Sequence, residues 1–144
     1  MAMGVCMRYS HNREQAQDLM QDGFIKVFEK LGTLKNPEKI GAWIYQIMVN
    51  VCVDYCKTLR PVQLLDDTVV EAVSQPLDPF SMSEIVEAMQ HLPSHQRIIF
   101  NLVEVEGYRC EEVAQRLGLS ASGVRAALSR AKASLRETLM SDEL

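Results

Sequence analysis

The amino-acid sequence predicts an all-α protein with two small helical domains joined by a flexible acidic linker. Apolar residues recur at the three- and four-residue spacing of helices through most of the 144 residues, and no convincing period-two pattern of a strand occurs. Residues 61–80 interrupt this pattern with three prolines and aspartate-containing turn signals. We therefore predict one domain over residues 1–60, a linker over residues 61–80 and a second domain over residues 81–144.

The first domain is expected to contain two long helices. Asn12 is a suitable N-cap for a helix that runs to about Leu31, and a second helix covers residues 40–59 before Pro61 stops it. In the first helix the residues expected to face the core are Ala16, Leu19, Met20, Gly23, Phe24, Val27, Phe28 and Leu31. In the second helix they are Ile44, Ile47, Met48, Val51, Cys52 and Tyr55.

The second domain is expected to contain four helices, over residues 83–91, 94–104, 110–117 and about 121–140. Gly118 is placed for a left-handed stop of the third helix, and Ser120 for a cap of the fourth. The fourth helix has an apolar stripe formed by Val124, Leu128, Ala131 and Leu135. Its basic and hydroxyl side chains cluster on another side, namely Arg125, Ser129, Lys132 and Arg136. This pattern indicates a helix-turn-helix whose second helix enters a DNA groove.

The formal net charge of −4 is distributed unevenly along the chain. The linker holds Asp66, Asp67, Glu71 and Asp78 with no Lys or Arg, whereas residues 109–136 hold six basic residues against two acidic ones. We expect the linker to be a tether with a short helical piece near residues 69–73. Because the acidic balance belongs to the linker, the overall charge does not exclude DNA binding.

The sequence predicts no catalytic or metal site. A zinc site formed by Cys6, Cys52, Cys56 and His11 is a disfavoured alternative, because no CxxC pair occurs and buried reduced thiols are the commoner use of cysteine. Histidines lack a nucleophile partner, and there is no phosphate-binding glycine loop. There is neither an 18-residue apolar run nor a signal-peptide pattern. We expect a cytoplasmic, non-enzymatic protein with no cofactor, no small-molecule substrate and no membrane insertion.

Two segments resemble regions of bacterial RNA polymerase sigma factors. Residues 92–139 are similar to region 4, whose pattern runs roughly LPxxQRxxFxLxxxEGYxxxEIAxxLGxSxGTVxxxLxRAxxxLR. AQDLMQDGFIKVF at 16–28 and AWIYQIMVNVCVDY at 42–55 resemble region 2. Because both motifs stand in the family's order with no domain between them, the chain resembles the extracytoplasmic-function (ECF) group of the sigma-70 family. The resemblance implies a subunit that directs core RNA polymerase to specific promoters for transcription initiation.

The resemblance also implies roles for three groups of side chains. Docking on the polymerase β′ clamp helices is implied for Asp18, Gln21, Asp22 and Lys26. Reading and melting the minus-10 element is implied for Trp43, Tyr45, Asn50, Asp54, Tyr55, Lys57 and Arg60, since aromatic rings stack on unpaired bases and amides hydrogen-bond their edges. The minus-35 element is assigned to Ser122, Arg125, Ser129, Arg130 and Lys132.

Further partners implied by the resemblance are the polymerase β flap and an anti-sigma factor. The acidic linker residues Asp66, Asp67 and Glu71 are similar to the connector that threads through the polymerase, although an ordinary tether has the same composition. For Trp43 and Tyr55, a place in the core is an equally good interpretation. Two other functions stay open: a helix-turn-helix regulator that works without polymerase, and a decayed sigma factor that only binds partners.

Three departures from the family pattern carry expectations of their own. Only MGVCMRYS remains of the family's first helix, which is therefore expected to be shortened, so we expect Phe24, Val27 or Ile47 to be exposed and to favour self-association. Arg109 occupies a position where Ser or Thr commonly caps a helix. Basic residues of relatives are replaced by the pairs at 48–49 and 126–127, so both DNA-facing segments are expected to be weakly cationic and to depend on polymerase for promoter binding.

Overall fold

The computed structural model describes residues 1–58 and 81–141, and every regular element within those two ranges is helical. The all-α fold class is therefore confirmed. The chain divides into two compact units, Met1–Thr58 and Leu59–Leu144. The predicted linker, its short helical piece near residues 69–73 and the candidate site residue Arg60 lie outside the described residues.

The first unit is a group of three helices in which each helix packs on the other two. The N-cap predicted at Asn12 is confirmed, since its Oδ1 accepts a hydrogen bond from the backbone N–H of Gln15 at 2.8 Å. The Gln15 side chain reaches back to accept from the His11 N–H at 2.7 Å, which completes a reciprocal cap. The helices are α1 (Ala2–Tyr9), α2 (Arg13–Lys30) and α3 (Ile40–Thr58), with 3₁₀ turns at Leu31–Thr33 and Pro37–Lys39.

Helix α1 covers part of the surface that was expected to be open, so the expected exposure is wrong for Val27 and Ile47, whereas Phe24 is 37% exposed. It buries Val5, Cys6 and Tyr9 against α2 and α3. As a result Val27 and Ile47, which were expected to be exposed, are only 6% and 8% accessible. Eight residues from MAMGVCMRYS are therefore enough to close the core on that side.

The apolar face of α2 is narrower than the sequence predicted. Residues that pack inward follow a strip of three- and four-residue steps, Ala16, Leu19, Gly23 and Val27. Phe28 was expected in the core but is 74% exposed, and Phe24 and Leu31 are also exposed. The reason is geometric: α1 is about 12 Å long against about 27 Å for α2, so it cannot cover the C-terminal turns of its neighbour.

Helix α3 is buried on nearly all sides at its centre, where residues 47–49 and 51–53 belong to the core. Gly23 of α2 lies against Met48, and a Cβ at that glycine would overlap the Met48 thioether, so the two helices approach closely. Met48 and Val49 are core residues, which corrects the expectation that they weaken a DNA-facing surface. Tyr55, expected in the core, is instead exposed, and its hydroxyl accepts from Gln15 Nε2 at 3.0 Å.

In the second unit, α7 packs against each of the other three α-helices. Gly118 has the left-handed φ of 70° that was predicted to end α6, and Ser120 Oγ accepts from the Gly123 N–H at 3.0 Å to cap α7. Arg109 makes no side-chain cap, as expected, and pairs with Glu112 instead at 2.8 Å. The elements are α4 (Met82–Gln90), α5 (Ser94–Phe100), a π-helical turn (Asn101–Val105), α6 (Cys110–Leu117) and α7 (Ala121–Ser141).

A buried arginine joins α4 to α5. Arg97 is 1% exposed, and its Nε donates to the carbonyl of Met89 at 3.0 Å. Its Nη2 donates to the carbonyls of Gln90 at 3.2 Å and Leu92 at 2.5 Å. A helix C-terminus has carbonyls without partners in the helix and carries partial negative charge, so a guanidinium placed there satisfies both hydrogen bonding and charge.

Candidate nucleic-acid and partner-binding surfaces

Four of the five residues predicted to read DNA share one face of α7. Ser122, Arg125, Ser129 and Lys132 fall within an arc of about 80° at 100° per residue, and each is exposed or half-buried. Arg130 lies about 140° around the helix from Arg125. Its positive charge, after burial, is a cause of the lowered pKa of His95 on α5, which places Arg130 on the α5 side of the helix.

Two of the cations on the shared face of α7 are paired with carboxylates of neighbouring elements. Arg125 Nη1 lies 3.3 Å from Glu111 Oε1 on α6. Lys132 Nζ lies 2.6 Å from Glu104 Oε1 on the π-helical turn. Neither ion pair was predictable from sequence spacing, because the two residues of each pair lie 14 and 28 positions apart in the chain.

Ala126 and Ala127 are fully buried between α7 and its neighbours. The expectation that these alanines replace DNA-facing basic residues is therefore wrong, since a side chain at either position points into the core. On the exposed face of α7, the positive charges of Arg125 and Lys132 are each balanced by a carboxylate of a neighbouring element.

On α3, the polar residues also sort onto two faces. Trp43, Asn50, Asp54 and Lys57 fall within about 80° of one another, together with Gln46, whose Nε2 donates to Asn50 Oδ1 at 3.0 Å. Tyr45 points away from them, and its hydroxyl accepts from Arg8 Nη2 of α1 at 2.9 Å. Trp43 and Asn50 are half-buried, whereas Asp54 and Lys57 are exposed.

The predicted docking residues of α2 are on its outer surface. Asp18, Gln21 and Asp22 are exposed, and Lys26 at their edge lies 3.8 Å from Asp54 of α3. A groove of about 270 Å³ separates this surface from α3. It is lined by Asn12, Glu14, Gln15, Asp18, Leu19, Asp22 and Tyr55. Sequence reasoning missed the apolar part of this surface, where Ile25 and Phe28 continue the line of Gln21 in solvent.

The described residues contain no cluster of three or more His, Cys, Asp or Glu side chains placed to hold a metal. Cys6 and Cys52 are buried free thiols, and Cys56 and Cys110 are half-buried free thiols. A hydrogen bond with Cys6, followed by burial, raises the pKa of the Cys52 thiol. Among the helices of the described ranges, none is long and apolar enough to cross a membrane.

These features define a class of protein: a modular DNA-binding chain, with a helix-turn-helix in one helical unit and an aromatic- and amide-bearing helix in the other. Family models agree with this division. The model described as "Sigma-70 region 2" matches residues 1–61, and the one described as "Sigma-70, region 4" matches residues 82–135.

Curated relatives indicate the same family, and a solved structure has a similar fold. The chain is 28% identical over 137 residues to RNA polymerase sigma factor SigV of Bacillus subtilis, and the aligned segment covers 94% of this chain and 82% of the relative. It is 26% identical over 132 residues to ECF RNA polymerase sigma factor SigM of Mycobacterium tuberculosis, and the aligned segment covers 90% of this chain and 67% of the relative. In fold it is similar to sigma factor RpoE of Bartonella quintana, solved with the anti-sigma factor NepR, at a TM-score of 0.57, 23% identity and coverage of 98% and 91% of the two chains.

The chain belongs to the sigma-70 family of RNA polymerase sigma factors and is of the ECF type. It is a promoter-directing transcription initiation factor, and sigma factors of this kind bind core RNA polymerase and promoter DNA. The match to region 2 as well as region 4 leaves nothing in favour of a polymerase-independent regulator or a sigma factor that only binds partners.

Proposed function

We propose that three separate surfaces of this sigma factor bind core polymerase, melt the minus-10 element and read the minus-35 element. The observation that carries this proposal is that both family regions occur in one chain, and that each presents exposed polar side chains on a helix whose other side is core. The protein makes no covalent bond of its own. It acts in the cytoplasm by holding the polymerase on DNA.

In the second unit, the minus-35 element is read by the exposed face of α7. Arg125 contacts a guanine edge, Ser122 and Ser129 contact base edges or phosphates, and Lys132 grips a phosphate. Arg130 lies to the side and is placed for a backbone contact. The distribution of exposed groups on α7 supports these roles, since its buried side is filled with Val124, Ala131 and Leu135.

In the first unit, the polar face of α3 reads and opens the minus-10 element. Trp43 stacks on an unpaired base, Asn50 hydrogen-bonds a base edge, and Lys57 and Arg60 contact the backbone. Tyr45 has a different part in this arrangement. Because it bonds to Arg8 on α1, it holds α3 in place, and it reaches DNA only if that hydrogen bond opens.

Core polymerase docks on the outer surface of α2, formed by Asp18, Gln21, Asp22 and Lys26, with its β flap on the second unit. The exposed side chains of Ile25 and Phe28 extend this docking surface and supply apolar contact area. Because the structurally similar RpoE was solved with an anti-sigma factor, we propose that a regulatory partner of that class also binds this chain.

Run-off transcription tests the whole proposal. Purified core polymerase of the source organism, with and without the full chain, transcribes restriction-digested genomic DNA, and the 5′ ends of the transcripts are sequenced. A limited set of start sites that depend on the chain, with a shared motif upstream, is the expected result. If the chain produces no such start sites with active core enzyme, the proposed function is wrong.

Two variants test the docking surface. The double variant Asp18→Asn, Gln21→Ala should weaken core binding at least tenfold in a pull-down titration if these side chains form the docking surface. Glu38→Gln is the matched control, because Glu38 is an exposed carboxylate of the same unit on the 3₁₀ turn Pro37–Lys39. Equal core binding by the two variants would contradict the assignment of α2.

A further inference from the structure

The carboxylate of Glu111 on α6 lies beside Arg125, the arginine nearest the N-terminus of α7 on its exposed face. Glu111 is in the first turn of α6, and its Oε1 is 3.3 Å from Nη1 of Arg125 in the first turns of α7. Their side chains are 66% and 54% exposed, so both can approach DNA. The pair therefore links the two helices of the helix-turn-helix at the surface that is proposed to face the groove.

The chemistry of a guanidinium gives this pair a consequence for recognition. Arginine has five N–H donors in a rigid fork, and a carboxylate at Nη1 leaves the edge formed by Nε and Nη2 available. That remaining edge is able to bind the two acceptors of guanine. A phosphate meets the same guanidinium less favourably, because the Glu111 carboxylate carries the same sign of charge as the phosphate.

We propose that Glu111 is a specificity-determining residue of the minus-35 surface: its carboxylate orients Arg125 towards base edges and weakens binding that rests on phosphates alone. The inference rests on the proposed contact of Arg125 with DNA. Glu104 adds to the same effect, because it neutralises Lys132 two helical turns further along α7. Arg125 and Lys132 thus each have a carboxylate partner that disfavours binding to non-specific DNA.

The chain provides a matched control next to Glu111. Glu112 is also an exposed carboxylate in the first turn of α6, but it pairs with Arg109 at 2.8 Å and has no ion pair with α7. Glu111→Gln and Glu112→Gln therefore remove the same charge from the same helix turn. Only the first releases Arg125.

The test uses holoenzyme assembled from core polymerase and the full chain, with a promoter fragment found by the genomic run-off experiment. A second fragment differs only in a scrambled minus-35 segment, and the dissociation constants of both are measured at one fixed salt concentration. Glu111→Gln should tighten binding to the scrambled fragment by about two- to fivefold and lower the ratio between the fragments. Glu112→Gln should change both fragments by one common, smaller factor and leave the ratio unchanged.

The Arg125→Ala background distinguishes failure of this inference from failure of the proposed contact. There, Glu111→Gln should act like Glu112→Gln, because the partner of the carboxylate is gone. If Arg125→Ala lowers discrimination but the two glutamate variants behave alike in the wild-type background, the role of Glu111 is overturned alone. If Arg125→Ala leaves discrimination unchanged, the contact of Arg125 and the inference built on it are both overturned.

Discussion

Replacement of Arg97 by methionine should selectively destabilise the unit that carries the helix-turn-helix. Methionine fills a similar volume but donates no hydrogen bond, so three carbonyls at the end of α4 lose a charged donor. The Met89 carbonyl keeps a second partner, the Leu92 N–H at 3.1 Å, which moderates the loss there. At about 1.5–3 kcal/mol for a hydrogen bond to a charged group, partly offset by apolar burial, we expect a net loss of about 2–4 kcal/mol.

The single tryptophan of the chain makes this expectation measurable in the full-length protein. Trp43 lies in the first unit, so its fluorescence follows the unfolding of that unit alone, whereas far-UV circular dichroism follows the helices of both. With a urea dependence of about 1 kcal/mol per molar for a small domain, Arg97→Met should lower the midpoint of the second unit by roughly 2–4 M. The Trp43 transition should stay where it is.

Arg97→Lys is the control, because it keeps the charge and loses the fork of donors. Its midpoint should lie between those of the wild type and Arg97→Met. An unchanged circular-dichroism transition in Arg97→Met would refute the assignment of a stabilising role to the buried guanidinium. An equal shift of the Trp43 transition would refute the assignment of that role to the second unit.

Three further predictions concern protonation, capping and thiol reactivity. Burial and then the charge of Arg130 lower the pKa of His95, so the unfolded chain binds a proton at this imidazole more readily than the folded protein does. The free energy of unfolding should therefore have its full value above about pH 6.5 and decrease as the pH falls below that value. His95→Gln should reduce the difference in urea midpoint between pH 8 and pH 5. Ser81→Ala removes the capping box of α4 and should cost about 1 kcal/mol, seen as faster amide hydrogen exchange in its first turn; unchanged exchange would contradict it. In native protein, iodoacetamide should label the half-buried thiols before Cys6 and Cys52, and equal rates by mass spectrometry would show that those two are not shielded.

The helix boundaries were largely predictable because local chemistry marks them. Asn12, Ser120 and Gly118 have the side chains or the freedom that helix ends require, and the structure uses each of them as expected. Only a shortened first helix was expected where α1 lies, and its bounds were not predicted, since it has no side-chain N-cap and only eight residues. What fixes it is packing on α2 and α3, which a linear pattern does not contain.

Burial was harder to predict than helicity. Phe28 fits the periodicity of a core residue, but no helix within residues 1–58 or 81–141 covers it, so periodicity alone overestimated the core. For Ala126 and Ala127 the sequence pattern underestimated burial. Helix α7 contacts three other helices, and its buried surface is therefore wider than the single apolar stripe. The ion pairs of Arg125 and Lys132 depend on which helices meet in space, and therefore no spacing in the sequence reveals them.

The closed three-helix core of the first unit has a consequence for the order in which the protein is made. The packing of α1, α2 and α3 on one another lies within the first 58 residues, and small helical domains fold in microseconds to milliseconds. At roughly 5–20 residues per second, a ribosome needs about 4–17 s to synthesise residues 59–144. The first unit therefore has time to fold during translation, before the helix-turn-helix exists, and the nascent chain can present α2 to a partner while it is still attached to the ribosome.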